Sequence, residues 1–527
     1  MSRSNMTNLD SRSFISDESR ILLKWSLLSA AFWGIIGHAY FFLSDAFSFD
    51  AIHTIGQSDI NWKISLGRFA QPLYKTYIRG NIQAPWLIGL LTILYLGLAV
   101  YFLCRLLNIS SKWSVFACTS ILAVNLQVIV TITSYIHETD VFMLAFLLEV
   151  IAVYLWKTRK KKTGFVSLLI GALLLAFSFG LYQAYVSAGV ALVLIVLISE
   201  CFTSNIKAKS IVVHAVTAVL MSAAAGIIYY LLVRLSLDIT GYALSADYNS
   251  LDNLFNYSSI SFLQSLLYAY TVPLEFLFTD TTVYSPVYIL VCNWILLIIT
   301  LILTFLITFQ KRIKCLYAFI LIGLLPLSMG MIKIMNPEAY YELMIYSYFL
   351  FYVLAIMTAD TFLKSHPSYR PAGIMRYTCI ILTAVIALCN VRFSNQVYLK
   401  KDLESEAVKL YMTELNTVMD NVEGYEPGVT GVLFLTQPEM PSLGYDFGNG
   451  YDVIPTFGVS SFYSTRFRFE WYYQFILQRK ITFIDDADEI ARFKEILEVQ
   501  DMLVYPAKGS IQMIDWTLVV NLSENDW

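Results

Sequence analysis

From Ile21 to Val391 the chain is a succession of apolar runs, most near the length that crosses a bilayer, separated by charged loops that are mostly short. A helix needs about 20 apolar residues to traverse the hydrocarbon, and it satisfies its backbone polar groups internally. The repetition predicts a mostly α, polytopic membrane protein. Spans fall near 21–43, 86–107, 115–134, 141–156, 165–181, 183–199, 211–232, 286–309, 315–332, 343–363 and 377–391, about eleven transmembrane helices. Only 14% of the residues are charged, against about 25% in soluble domains, so lipid must solvate much of the surface. The polar stretch 1–20 is too long ahead of its apolar run for a cleaved signal, so the first span is expected to be retained.

Lysine and arginine in the short loops orient the spans. Every second loop is basic: Arg105 and Lys112; Lys157 and Arg159 to Lys162; Lys207 and Lys209; Lys311, Arg312 and Lys314; Lys364, Arg370 and Arg376. These loops and the N-terminal tail are expected in the cytoplasm of a bacterial cell, across its plasma membrane. Loops 44–85 and 233–285 and the turns near Glu138, Gln183 and Glu338 then face outward. The first outer loop breaks the charge rule, because it carries Lys63, Arg68, Lys75 and Arg79 among Asp45, Asp50, His53 and Asp59. Cations on the disfavoured side call for a reason other than topology.

With an odd number of spans, residues 392–527 form an extracytoplasmic domain of about 130 residues, within the usual range. "GVLFLT", "ITFID" and "DMLVYP" read as short strands, and "DEIARFKEILEVQ" as a helix, so this part is expected to be a small α/β unit. All seven cysteines lie at or before Cys389, in or beside apolar runs, and show neither a disulfide framework nor metal-ligand spacing. A net charge of -3 without an arginine-rich face excludes a nucleic-acid partner. The stretch 249–278 is aromatic and amphipathic, and either lies in the membrane interface or packs on the rim of the bundle.

The polar residues at the outer ends of the spans admit two readings each. Asp45 or Asp50 could accept the proton of an incoming hydroxyl as a general base, or be a solvated loop acid; His53 fits an acceptor contact or an ordinary loop histidine. Lys63 and Arg68 could grip a phosphate, Arg68 bidentately, or bind lipid headgroups. Glu138 and Asp140 could orient an acceptor, hold a divalent metal or share a proton, while capping of the following helix is the plain reading of Asp140. Lys333 serves a leaving phosphate or snorkels to the interface. Glu149, deeper in its span, reads as structural. The sequence shows no nucleotide-binding, zinc or dinucleotide motif, so no cofactor is implied beyond that divalent metal.

"SDAFSFD", "WKISLGRFAQPLY", "SYIHETDVFMLAFLL", "FSFGLYQAYVSAG" and the polar tail opening "NQVYLKKDLESEAVKLYMTEL" resemble, in that order, the bacterial and phage Gtr-type serotype-converting glucosyltransferases, the type II glucosyltransferase family. That family is similar in layout to the GT-C class of integral-membrane glycosyltransferases. The resemblance implies a polyprenyl-phosphate sugar donor, used at the outer face on a cell-surface polysaccharide or glycan acceptor. It also implies an acidic base in the first outer loop, which maps onto Asp45 or Asp50. Relatives carry adjacent acids at the first position, where this chain has Asp45-Ala46 with Asp50 five residues on, so the base stays open between the two. In this reading Arg68, with Lys63 or Lys333, stabilises the leaving phosphate. Trp62, Tyr182 and Gln183 belong to the segments that carry the resemblance, and Tyr182 and Gln183 are expected to line the sugar pocket. Two other classes compete. A glycan or lipid transporter or flippase is disfavoured by the absence of duplicated halves. A polysaccharide polymerase or ligase would consume a pyrophosphate-linked donor.

Overall fold

The computed structural model describes residues 16–44, 46, 49–52, 61–81, 83–160, 162–245, 254–279, 286–337, 342–438 and 466–524. Asp45, His53 and Asp59 lie outside them.

The chain enters the first long helix, α1 (Asp17–Leu43), behind an N-cap in which the Ser16 side chain accepts from the Ser19 backbone N–H. Three short helices follow: α2 (Phe49–Ile52), α3 (Trp62–Ser65) and α4 (Ala70–Tyr74), the last running into a π-turn over Lys75–Arg79. The bundle continues through α5 (Pro85–Leu106), α6 (Lys112–Ala123), α7 (Leu126–Tyr135), α8 (Thr139–Thr158), α9 (Gly164–Leu181), α10 (Val186–Phe202) and α11 (Ala208–Thr240). Helices α12 (Phe262–Phe278), α13 (Val287–Thr308), α14 (Arg312–Met329), α15 (Ile332–Met335), α16 (Leu350–Ser365) and α17 (Arg370–Asp420) complete it. Among the described residues ten helical stretches are long and apolar enough to cross a membrane, which makes this a multi-pass membrane protein.

The expected run of spans is corrected at 115–134, which is two helices. The chain breaks between α6 and α7, and Asn125 serves both ends of the break. Its side-chain oxygen accepts from Val128 N–H and its amide donates to the Ile121 and Leu122 carbonyls. Tyr346 Oη also donates to Leu122 O, the His38 ring meets Ala123 O, and Asn390 donates to Val124 O. Backbone groups freed inside a bilayer have no water to turn to, so a break there requires this set of dedicated partners. Beyond it, α7 passes through a single 3₁₀ turn (Ile136–Glu138) into α8. The amphipathic segment is α12, opened by a capping box of Ser261 and Gln264. It packs on the bundle so closely that a Cβ at Gly330 would lie 2.1 Å from Ala269 O.

Helix α17 runs unbroken for 51 residues, from the apolar bundle past residue 391 into the C-terminal unit. There Val408, Met412, Leu415 and Met419, spaced three or four apart, bury one face against a four-stranded sheet. The strands are β1 (Gly431–Phe434), β2 (Thr482–Phe483), β3 (Ile511–Ile514) and β4 (Thr517–Val520), in the order β2-β1-β4-β3. Strand β1 lies parallel to both neighbours, with Gly431 opposite Thr482 and Thr517, while β3 and β4 form an antiparallel hairpin. Alternation divides the sheet: Val432, Phe434, Leu518 and Val520 face α17 and α18 (Arg466–Trp471), whereas Leu433, Leu435 and Val519 face α19 (Ala487–Lys494) and α20 (Leu497–Gln500). The α/β expectation holds in outline, with one strand misplaced and two unforeseen. "DMLVYP" is irregular chain, and the last two strands are the hairpin at 511–520. Ile52 of α2 joins the core under this sheet, which ties the first loop to the C-terminal unit.

Candidate active site

Four loops meet at one end of the bundle, and hydrogen bonds join them. Gln183 reaches Leu66 O, Arg79 reaches His137 O, and Ser245 N–H reaches Ser65 O. The basic loops meet at the other end, where Lys364 donates to Asn108 O, Arg376 to Ser111 Oγ and Lys314 to Thr203 O. The segregation matches the alternation read from the charges.

At the first end the segment 62–79 is folded tightly enough to direct its cations inward. The turn between α3 and α4 needs a left-handed residue, and Gly67 supplies it with φ +75. Gln183 and Tyr229 then clamp the turn. Gln183 Nε2 donates to Leu66 O at 2.7 Å and to Tyr229 Oη at 3.1 Å, and Tyr229 Oη donates to Gly67 O at 3.1 Å. Gln71 Nε2 fastens α4 to the end of α9 through Leu181 O. Gln183, expected at a sugar, spends its amide on the loop that carries Arg68.

The acids are buried and paired. Glu138 Oε1 lies 3.1 Å from Lys63 Nζ, 3.0 Å from Lys75 Nζ and 3.5 Å from His137 Nε2. Glu138 Oε2 is buried with no hydrogen-bond partner. Asp140 Oδ1 takes Arg79 Nη1 at 3.0 Å, and its Oδ2 accepts from Tyr74 Oη at 2.7 Å, with Tyr95 Oη behind at 3.2 Å. Asp140 stands in the first turn of α8 but makes no N-cap bond; the N-cap position belongs to Glu138, whose side chain does not cap either. Burial pushes the Lys75 ammonium down to about 8, Glu138 acting against the shift and the charges of Arg79 and Lys63 adding to it. Burial, with Asp140 next, raises the Tyr74 hydroxyl far above its ordinary value. As metal ligands the two acids fit poorly: each faces ammonium or guanidinium groups, and no cluster of three His, Cys, Asp or Glu side chains with metal-binding geometry occurs among the described residues.

Arg68 differs from its neighbours. Its guanidinium carbon lies 5.0 Å from the centre of the Tyr182 ring, its Nε is buried without a hydrogen-bond partner, and no described carboxylate pairs with it. Tyr182 stacks on Phe142 at 4.0 Å and 14°. Phe142 stands in the first turn of α8, four residues beyond Glu138 of the preceding 3₁₀ turn. Lys63 also lies 4.4 Å from the centre of its neighbour Trp62. Asp50 belongs to α2, which rests between α7 and the turn Tyr472–Ile476 of the C-terminal unit. Lys333 is elsewhere, on α15, where its Nζ donates to Pro337 O and burial lowers its pKa. Glu149 accepts from Ser178 Oγ at 3.3 Å and lies against Gly189, holding α8 to α9 and α10. Tyr95 and Tyr229 lie outside the segments that carry the resemblance, and Gln71, Tyr74 and His137 lie within them without being singled out. Only the pattern of buried partners marks them.

A helical bundle of membrane-crossing length, with buried ionic groups gathered at one end, defines an integral-membrane protein with a polar site at one end of its bundle. A family model described as Glucosyl transferase GtrII matches residues 39–359, about three-fifths of the chain, a range that includes Lys63, Arg68, Lys75, Arg79, Glu138 and Asp140. The chain belongs to that family and is a membrane glucosyltransferase. Neither a search of curated proteins nor one of solved structures finds a match.

Proposed function

We propose that this glucosyltransferase moves glucose from a polyprenyl-phosphate carrier to a hydroxyl of a surface polysaccharide, at the outer face of the bacterial plasma membrane. The observation that carries the reading is the gathering of Lys63, Lys75 and Arg79 on buried acids, and of Arg68 on Tyr182, in one loop at the end of the bundle opposite the basic loops. A lipid-linked phosphate is met where the hydrocarbon ends, and cations preorganised in a water-poor site are suited to charge that develops there. The carboxylate of Asp50 or Asp45 takes the acceptor proton. The acceptor oxygen bonds to the anomeric carbon as the bond from that carbon to the phosphate oxygen breaks, and the electron pair leaves with the phosphate. A single displacement inverts the centre. The contact of α2 with the C-terminal unit supports an acceptor that arrives beneath that unit, on the extracytoplasmic side.

The test is a donor comparison with purified enzyme. Polyprenyl-phosphate glucose should support transfer, and a soluble nucleotide glucose should not. Efficient transfer from the nucleotide sugar by enzyme free of carrier lipid overturns the reading, as does a requirement for a pyrophosphate-linked donor. In liposomes, transfer without vectorial movement separates an enzyme from a flippase.

A further inference from the structure

We infer that residues 73–78 of the first outer loop are seated in the outer leaflet of the bilayer, so that phospholipid covers the outward face of the turn whose inward face carries Lys75 and Arg79. The inference is independent of which donor the enzyme uses.

The segment has two faces. Lys75 and Arg79, four residues apart, turn into the bundle, where Lys75 pairs with Glu138 and Arg79 with Asp140 and the His137 carbonyl. Leu73 and Tyr77, also four apart and hence neighbours on one side, turn outward together with Ile78, and the three are 47%, 81% and 68% exposed. The ion pairs lock the inner face, which fixes the direction of the outer one. The five residues Lys75–Arg79 form a π-turn, a rare geometry often found at functional sites. It lets two successive large side chains, Tyr77 and Ile78, project while the cations on either side of them stay buried. Large apolar side chains gathered on one exposed face call for an apolar partner.

The helices beside the segment identify that partner. Tyr74 Oη lies 3.2 Å from Tyr95 Oη, and Tyr95 stands about ten residues, hence about 15 Å of helix rise, beyond Pro85. The segment therefore lies beside the outer end of α5 rather than above it. On the other flank Gln71 donates to Leu181 O at the end of α9, and the Phe69 ring meets Phe177 edge-on at 5.6 Å. Both flanking helices have the length and composition of membrane spans. Trp86, Leu90 and Leu94, at successive turns of α5, and Phe177 of α9 are exposed, and on spans such residues face lipid. The outward face of 73–78 continues that surface from one helix to the other. A tyrosine at its edge suits the boundary between headgroups and chains.

The arrangement inverts that of an ordinary interfacial helix, whose cations point to water and headgroups while its apolar face enters the leaflet. Here the cations point into the protein, and only the apolar face is offered to the membrane. Lipid contact and cation placement are coupled through one short turn, so a change that lifts Tyr77 and Ile78 from the leaflet also displaces Lys75 and Arg79.

The test uses full-length protein with its seven native cysteines replaced and single cysteines introduced as Ile78→Cys, as Leu90→Cys for a lipid-facing reference and as Asn421→Cys, at the far end of α17, for a water-facing one. Each is labelled with an environment-sensitive fluorophore and reconstituted in vesicles of phosphatidylcholine and phosphatidylglycerol. Quenching by nitroxide on the acyl chains is compared with quenching by iodide present on both sides of the vesicle. Nitroxide lipid should quench the label at position 78 about twofold or more strongly than the label at 421, and iodide should quench it less, because the hydrocarbon region holds no water to carry the ion. Iodide quenching equal to that at 421, with no effect of nitroxide lipid, places the face in water and overturns the inference. Protection from both quenchers places protein over the face and overturns it as well. If the cysteine variants do not fold, the unmodified protein is reconstituted with phosphatidylcholine bearing a diazirine on its acyl chain. Photolysis should then attach lipid within 73–78, and attachment confined to the spans overturns the inference.

Discussion

Glu138→Gln is the substitution that most directly tests how the site is held together. The amide nearly matches the carboxylate in shape but removes the charge shared by Lys63 and Lys75, at 3.1 and 3.0 Å. Removing one partner of a buried ion pair typically costs about 3–5 kcal/mol, because the other charge stays buried without compensation. Lys75 is buried against this oxygen, so a loss within that range is expected at neutral pH. The pH dependence carries a sign. The Lys75 pKa is lowered from its ordinary value to about 8 in the fold, so above about pH 8 the folded protein holds fewer protons than the unfolded chain. Stability contributed by this group therefore rises with pH from about 8 toward the unfolded value, as the cost of burying the ammonium is relieved. Glu138 is the group that works against the lowering, so in Glu138→Gln the relief begins at lower pH. Thermal unfolding of both proteins in detergent from pH 6.5 to 9.5 should show the variant well below the parent at pH 7 and closer to it at pH 9. The double variant Lys75→Met/Glu138→Gln should recover part of the loss by removing one orphaned charge. Equal melting temperatures at pH 7, or a gap that widens with pH, would refute the view that Glu138 is the counter-charge of a buried cation pair.

Two further outcomes are expected. Asp50→Asn or Asp45→Asn should lower turnover by about 10²-fold or more while the protein still inserts and folds, since the amide takes no proton at neutral pH; near-normal turnover in both removes the first loop as the source of the base. Gln183→Ala and Tyr229→Phe, which release the carbonyls of Leu66 and Gly67, should raise KM for the donor more than they lower kcat. A matching loss in Arg68→Ala, partly restored in Arg68→Lys, would tie the effect to the guanidinium, and unchanged donor KM in both clamp variants would count against it.

The bundle was legible because burial in lipid is a local property: a run of apolar residues is a span whatever it touches. The break at Asn125 was hidden because a lone asparagine in an apolar run has no local meaning. Its effect depends on His38, Tyr346 and Asn390, which meet the broken end from distant helices. The hairpin that ends the C-terminal sheet was missed for a related reason. "IQMIDWTLVV" reads as one run because its hairpin turn is made by Asp515 and Trp516, both at positive φ, without the glycine or asparagine that marks such turns. "DMLVYP" is apolar enough for a strand, but Met502 instead fills the core between the sheet and its outer helices.

The site divides along the same line. Which residues matter could be read from cations on the wrong side of a membrane loop and from acids at the start of a span. Which acid meets which cation could not, because the partners lie about sixty residues apart on separate elements and sequence spacing says nothing about that pairing. The pairing changes the chemistry assigned to them. Taken singly, Glu138 and Asp140 looked like groups that act on substrate. Paired as they are, each oxygen that faces a cation is committed to holding it, and what the site offers a ligand is positive charge. The glutamine expected at the sugar is likewise committed to the backbone of the turn that carries Arg68. A reading from residue types alone therefore overstates the number of groups free to do chemistry; in the proposed function, proton transfer falls to the first-loop aspartates and phosphate handling to Arg68 and the lysines around Glu138.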